Sequence, residues 1–243
     1  MGVSIFRCGF SFAVDGPGNR LVYHLCGCNY RCPWCSNPEH LRACGGQFAS
    51  LFSDIAVDEI IKEAVGAKAL FFSGGGVTFT GGEPTTQFSA LREALCGLRE
   101  AGVHTCVESN GSHPRLPELF PLIDFLILDC KHHDSALHRR WTGEGNEPVL
   151  ENIRAAAGQR EQLLVRIPLV GGVNASQEDA RAFAALLPAL GEFPVELLRY
   201  HEYGKAKWER CGLEYTMRDA DVSTEQAECF AGILRGAGVR VIL

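Results

Sequence analysis

The sequence predicts an α/β fold in which parallel strands alternate with helices and curl into one barrel-like domain. Three observations carry this. Short β-branched or aliphatic runs alternate with helix-periodic stretches about six times along the 243 residues, the pattern of repeated βαβ units. One run, IDFLILD at 123–129, is almost continuously apolar, as a parallel strand covered on both faces must be. No Pro/Ser-rich linker, charge block, repeat or low-complexity segment divides the chain, so a single domain over 1–243 is expected.

Strands are expected at 21–25, 77–80, 103–107, 123–129, 163–168, 195–200 and 239–243. The stretch 58–66 gathers Ile60, Ile61, Ala64 and Val65 on one helical side. Phe88, Leu91, Leu95, Leu98 and Ala101 recur at three and four, and Gly102 follows as a natural stop. Ser176 with Asp179 reads as a capping box ahead of Phe183, Ala184, Leu187 and Leu190. Ser223 with Gln226 does the same ahead of Phe230, Ile233, Leu234 and Ala237. In such folds ligands sit at the carboxyl ends of the strands, so motifs just past a strand carry weight.

With 46% hydrophobic and 21% charged residues the composition is that of a soluble globular chain, not a disordered, fibrous or coiled-coil one. No run approaches the roughly 20 apolar residues of a membrane helix, and residues 1–12 carry no secretory-type apolar run. The expectation is a cytoplasmic protein with no membrane partner. A net charge of −6 argues against a nucleic-acid surface as its main business. Eleven cysteines in a chain without an export signal read as metal ligands or catalytic groups before disulfides.

The decisive segment is GCNYRCPWCSNPEH, 27–40, where Cys28, Cys32 and Cys35 follow C-x3-C-x2-C. Three thiolates in eight residues can wrap one metal centre if the loop is compact, and Gly27 and Pro33 help it turn. A structural zinc needs four ligands, usually from C-x2-C knuckles. His40 or Cys44 would have to supply the fourth, and C-x3-C does not fit a knuckle. A ferredoxin-type carrier also wants four cysteines. The nearest spare, Cys26, lies two residues from Cys28 with the opposite side-chain direction. Three cysteines leave one iron of a [4Fe–4S] cube open, as a catalytic centre requires. With Trp34 included, C-x3-C-x-aromatic-C resembles the cluster motif of the radical S-adenosylmethionine (SAM) enzymes.

Further motifs follow in order. GGGVTFTGGEPTTQ at 74–87 places Gly81, Gly82 and Glu83 straight after a strand. Glycines there let backbone approach a ligand, and a carboxylate beside them can hold an ammonium. VDGPGNR (14–20), VESNG (107–111), LDCK (128–131), VRIP (165–168) and RYHEYGKAKW (199–208) complete the set. From about Ser11 onward the chain resembles the glycyl-radical-enzyme activating enzymes, most closely the pyruvate formate-lyase activating type.

The resemblance implies a partial (β/α)6 TIM-type barrel with the cluster at its top. Cys28, Cys32 and Cys35 would ligate the [4Fe–4S] cluster, and SAM would chelate the open iron. Trp34 would border the SAM site, Gly81, Gly82 and Glu83 would line the methionine amino group, and Glu108 and Ser109 would lie beside the ribose and methionine. Lys131 and Arg166 would offer positive charge to the carboxylate, and His201 would contact the nucleoside. The resemblance also implies, as an alternative, a monovalent cation held by Glu108 and Asp129, although Glu108 and Ser109 replace the usual aspartate and threonine. Asp15 and its DGPG loop would lie where the partner docks. The implied chemistry is one-electron cleavage of SAM, then hydrogen abstraction from a glycine Cα of a partner glycyl-radical enzyme by the 5′-deoxyadenosyl radical. A flavodoxin or ferredoxin would be the reductant, and a monomer is expected.

Read without the resemblance, Asp129 and Lys131 could form a strand-end ion pair, Arg166 a buried salt bridge, and His201 a core histidine. Residues 36–82 hold only Cys44, so the ferredoxin-like insert of many relatives is absent, although SNPEH is more similar to the insert-bearing ones. The other cysteines are expected mostly on apolar faces, as small hydrophobes. The competing readings are a radical SAM enzyme for a small molecule, such as a deazapurine-forming synthase, and an iron–sulfur electron carrier.

Overall fold

A computed structural model of the chain describes residues 1–40, 52–159 and 162–243; Cys44 lies outside them. The elements in order are β1 (Gly2–Phe12), β2 (Asn19–Leu25), β3 (Ser53–Ala56), α1 (Val57–Gly66), β4 (Gly76–Gly81), α2 (Phe88–Glu100), β5 (Thr105–Ser109) and β6 (Phe125–Asp129). They continue with α3 (Ser135–Thr142), α4 (Glu147–Gln159), β7 (Leu163–Leu169), α5 (Gln177–Leu186), β8 (Pro194–Arg199), α6 (Lys205–Arg210), α7 (Thr224–Gly236) and β9 (Arg240–Ile242).

All nine strands form one sheet in the order β3-β1-β2-β4-β5-β6-β7-β8-β9. From β2 through β9 every neighbour is parallel, so six crossovers join seven strands. β1 and β3 extend one edge antiparallel. β3 and β9 remain the two edges, so the barrel is partial, as the resemblance implies.

Each expected strand is present, with ends shifted by up to two residues. The alternation inside them sorts two surfaces. Val77, Phe79, Val107, Leu126, Leu128, Val165, Ile167, Val195 and Leu197 join the main core, which the helices cover. Their in-between neighbours face the interior, where Cys106, Ile127 and Leu164 form a small apolar floor. Above that floor the same faces carry Thr80, Glu108, Asp129 and Arg166, which line a pocket at the strands' carboxyl ends. Period-two alternation therefore builds the core and the site from the same strands.

Both expected capping boxes form: Ser176 accepts from the Asp179 amide at 3.0 Å and Ser223 from the Gln226 amide at 3.2 Å. The cysteine expectation needs correction. Among the described residues outside 28–35, only Cys106 and Cys130 are buried; Cys26, Cys96 and Cys211 are half-buried, and Cys8 and Cys229 are exposed. Cys8 in β1 and Cys229 in α7 occupy exposed positions of their elements, and Cys26 and Cys211 lie just past the ends of β2 and α6. No described helix is long and apolar enough to cross a membrane.

Candidate functional site

The cysteine loop leaves β2 through Gly27, whose φ of +88° a side chain would disfavour. It is built largely from its own backbone. The Cys35 amide reaches the Cys32 carbonyl at 3.1 Å. The Tyr30 amide points at Cys28 Sγ (3.3 Å) and the Asn37 amide at Cys35 Sγ (3.4 Å). The outcome is that Cys28, Cys32 and Cys35 all line one pocket. Cys26 is outside it.

The GGE turn is welded to this loop. The Gly82 amide donates to the Leu25 carbonyl at 2.9 Å and the Glu83 amide to the Gly27 carbonyl at 2.7 Å. A Cβ on Gly82 would stand 2.0 Å from the Gly27 oxygen, so only glycine allows this approach.

Gly81 and Gly82 line the pocket, but the Glu83 side chain does not. Its carboxylate turns inward and is 1% exposed. Oε1 accepts from Thr85 N (3.0 Å), Thr85 Oγ1 (2.6 Å) and Ser109 Oγ (2.8 Å), and Oε2 accepts from Asn110 N (2.6 Å). Glu83 thus ties the GGE turn to the end of β5, where a role beside an ammonium was expected of it. Asn110 extends the link by donating to Asn29 Oδ1 at 2.9 Å. Asn110 was missed as a site residue, though it stands at the strand end inside VESNG.

Charged groups line the pocket in pairs. Lys131 Nζ meets Asp129 at 2.5 Å, and Arg166 joins Glu108 (3.1 Å) and Glu196 (2.5 Å). Glu108 also accepts from Thr80 Oγ1 at 2.8 Å. Burial pushes the Glu108 carboxyl up to about 7, against the pull of Arg166. Burial alone would lower the Lys131 ammonium, but the adjacent Asp129 carboxylate outweighs it and holds Lys131 above its usual range. The strand-end ion pair and the Arg166 salt bridge both exist, half-buried, in the wall of the pocket. Beneath them the DGPG loop crosses the interior: the Asp15 carbonyl accepts from Thr78 Oγ1 at 2.7 Å. Arg20, fully buried, fastens the loop through Thr78 Oγ1 (2.6 Å) and the Pro17 carbonyl (3.0 Å).

His201 and Trp34 complete the wall. His201 stacks on Tyr203 at 4.3 Å, and its Nδ1 is buried without a hydrogen-bond partner among the described residues. Trp34 packs against the small cluster of Val170, Val173, Met217 and Ala220.

A clamp from α6 holds the loop from the far side. Gly204 backs onto the Cys35 carbonyl, which accepts from Trp208 Nε1 at 2.8 Å. Lys207 Nζ reaches the Ser36 carbonyl (2.9 Å), Asn37 Oδ1 (2.8 Å) and Glu39 (3.0 Å). GKAKW therefore grips SNPEH across some 170 residues of sequence. Lys207→Met leaves the part-buried Glu39 without its cation. It is expected to cost about 1–3 kcal/mol in anaerobic urea unfolding, with Lys207→Arg losing less.

The donor set fits an iron–sulfur centre. Burial, with smaller pushes from Glu83 on Cys28 and from the neighbouring sulfurs on both, takes the Cys28 and Cys32 thiols up to about 12. Three such thiols become thiolates together only against a strongly cationic centre. Elsewhere, the ligand atoms of His132, His133 and Asp179 lie within 4.8 Å of one another. However, His132 spends both nitrogens, on the Asp134 amide (3.0 Å) and the Val173 carbonyl (3.1 Å).

The family model of the Radical SAM superfamily matches residues 22–184. A pyruvate formate-lyase-activating enzyme of Staphylococcus aureus is 31% identical over 224 residues, covering 88% of this chain and 87% of that one. The chain belongs to the radical SAM superfamily, within the pyruvate formate-lyase-activating enzyme family. It is a radical SAM enzyme by that membership. A solved domain of a pyruvate formate-lyase-activating enzyme from Bacteroides vulgatus is similar at 28% identity and TM-score 0.58, over 70% of this chain and 98% of that one. A radical SAM methyltransferase from Sphaerobacter thermophilus shares the fold at TM-score 0.65 and 18% identity, over 96% of this chain and 67% of that one.

Proposed function

We propose that this chain, as one domain, activates a glycyl-radical enzyme of the pyruvate formate-lyase kind, using SAM at a [4Fe–4S] cluster held by Cys28, Cys32 and Cys35. The observation that carries the reading is convergence: three thiols, two half-buried cations with their carboxylates and a histidine nitrogen unpartnered among the described residues share one pocket in a chain similar to activating enzymes. Once bound, the cluster and SAM supply a one-electron cleavage that yields a hydrogen-abstracting carbon radical.

The chain's own residues do the rest. Lys131, held by Asp129, sets a positive charge beside the thiols and toward a carboxylate ligand. Gly81 and Gly82 bring bare backbone to the amino end, with Glu83 as the buttress behind them. His201 Nδ1 offers a dry hydrogen-bond position to a nucleoside, and Arg166 stays fixed between Glu108 and Glu196. The DGPG loop beneath Arg166 would face an entering segment. A glycine suits that segment, since nothing shields its Cα–H and it can thread a narrow opening.

A monovalent cation would have to displace Arg166 from Glu108 and Lys131 from Asp129. SAM affinity is therefore expected to change by less than about twofold when sodium replaces potassium; a larger change would restore the cation site. The electron donor in this reading is a flavodoxin or ferredoxin.

The test is to mix the loaded, reduced protein and SAM with a glycyl-radical enzyme encoded beside it, without oxygen. A glycyl-radical resonance that needs both SAM and this chain is expected. SAM cleavage with no radical on the partner would favour a small-molecule substrate.

A further inference from the structure

One side chain of the pocket wall is unused by the proposed chemistry. His40 ends the short turn Pro38–His40 behind the cysteine loop and is 5% exposed. Nε2 lies 3.7 Å from Cys35 Sγ. Nδ1, on the other side of the ring, is buried with no partner among the described residues.

A neutral imidazole carries one N–H. With the proton on Nδ1, that N–H would be buried and unmade, and a lone pair would face the lone pairs of a thiolate. With the proton on Nε2, the ring donates to the sulfur. We infer that His40 donates its Nε2–H to the Cys35 thiolate and thereby raises the reduction potential of a cluster bound there. This rests on the cluster reading proposed above. A hydrogen bond to a ligand sulfur stabilises the more electron-rich, reduced cluster more than the oxidised one. Cys35 already accepts from the Asn37 amide, so His40 adds a second donor to the same sulfur. His40 is a positioning residue in this scheme, acting through Cys35.

The experiment is a dye-mediated redox titration of the reconstituted protein without SAM, followed by electron paramagnetic resonance. At the potential that half-reduces the wild type, His40→Phe is expected to lower the reduced-to-oxidised ratio about tenfold, or about 59 mV for one electron. His40→Gln keeps an N–H near that place and is expected to recover most of the loss. A fully loaded His40→Phe protein with an unshifted midpoint overturns the inference. If neither variant holds a cluster, the wild type decides. Its reduced cluster is expected to show a weak nitrogen coupling that changes on 15N-histidine labelling, and absence of that coupling overturns the inference. A wild type that takes up no cluster fails the underlying reading instead, before His40 is varied.

Discussion

Cys32→Ala is expected to yield a folded protein that holds no stable cluster and cleaves SAM at least about 10³-fold more slowly than the wild type. Removing one small buried side chain costs the fold little, because the loop is shaped by its backbone bonds and by the α6 clamp rather than by Cys32 packing. The loss falls on the metal. Two remaining thiols, one of them already pushed up to about 12 by burial, cannot neutralise and hold a cube that three held. Iron and sulfide content, the visible spectrum and 5′-deoxyadenosine yield together check this. Near-normal circular dichroism with no iron is the expected signature; a loaded, active variant would remove Cys32 from the ligand set.

Glu83→Ala is expected to be the more damaging substitution for the fold. It strips one acceptor from Thr85 N, Thr85 Oγ1, Ser109 Oγ and Asn110 N at once. These donors lie in a dry region, so each left unpaired costs about 1–3 kcal/mol, and the four together cost about 4 kcal/mol at the low end. Glu83→Gln should be milder, since its oxygen can keep the Oε1 donors while its amide opposes the Asn110 N–H. The order wild type, Gln, Ala in urea midpoint, with cluster retention following it, checks the claim. If Glu83 instead served mainly to hold the SAM ammonium, both variants would keep full stability and lose only SAM affinity.

The contrast between these two sites explains what was legible beforehand. Cysteine spacing is local chemistry, and C-x3-C-x2-C past a strand already restricts the centre to three ligands. The strand runs were equally local: FLILD in β6 announces a doubly covered parallel strand. The inward turn of Glu83 depends instead on Ser109 and Asn110, 26 and 27 residues away, which become neighbours only when β4 and β5 pair. The grip of Lys207 on Glu39 spans still more chain.

The missed elements have physical reasons too. β1, GVSIFRCGFSF, mixes small, charged and aromatic residues because only its first half packs inward. β3 has four residues and α3 eight, too short for a period to emerge. In α4 the buried positions Val149, Asn152, Ile153 and Ala156 do follow helical spacing, but Asn152 breaks the apolar face. Its amide is needed there to donate to the Gly111 and His113 carbonyls, at 2.8 and 2.9 Å.

The central claim is that this pocket cleaves SAM. It is tested most directly by loading the cluster without oxygen, adding SAM and a strong reductant, and counting 5′-deoxyadenosine and methionine. Equal amounts of both, formed only when cluster, reductant and SAM are all present, are the expected result. A fully loaded, reducible cluster that leaves SAM intact would contradict the claim and return the protein to the electron carriers.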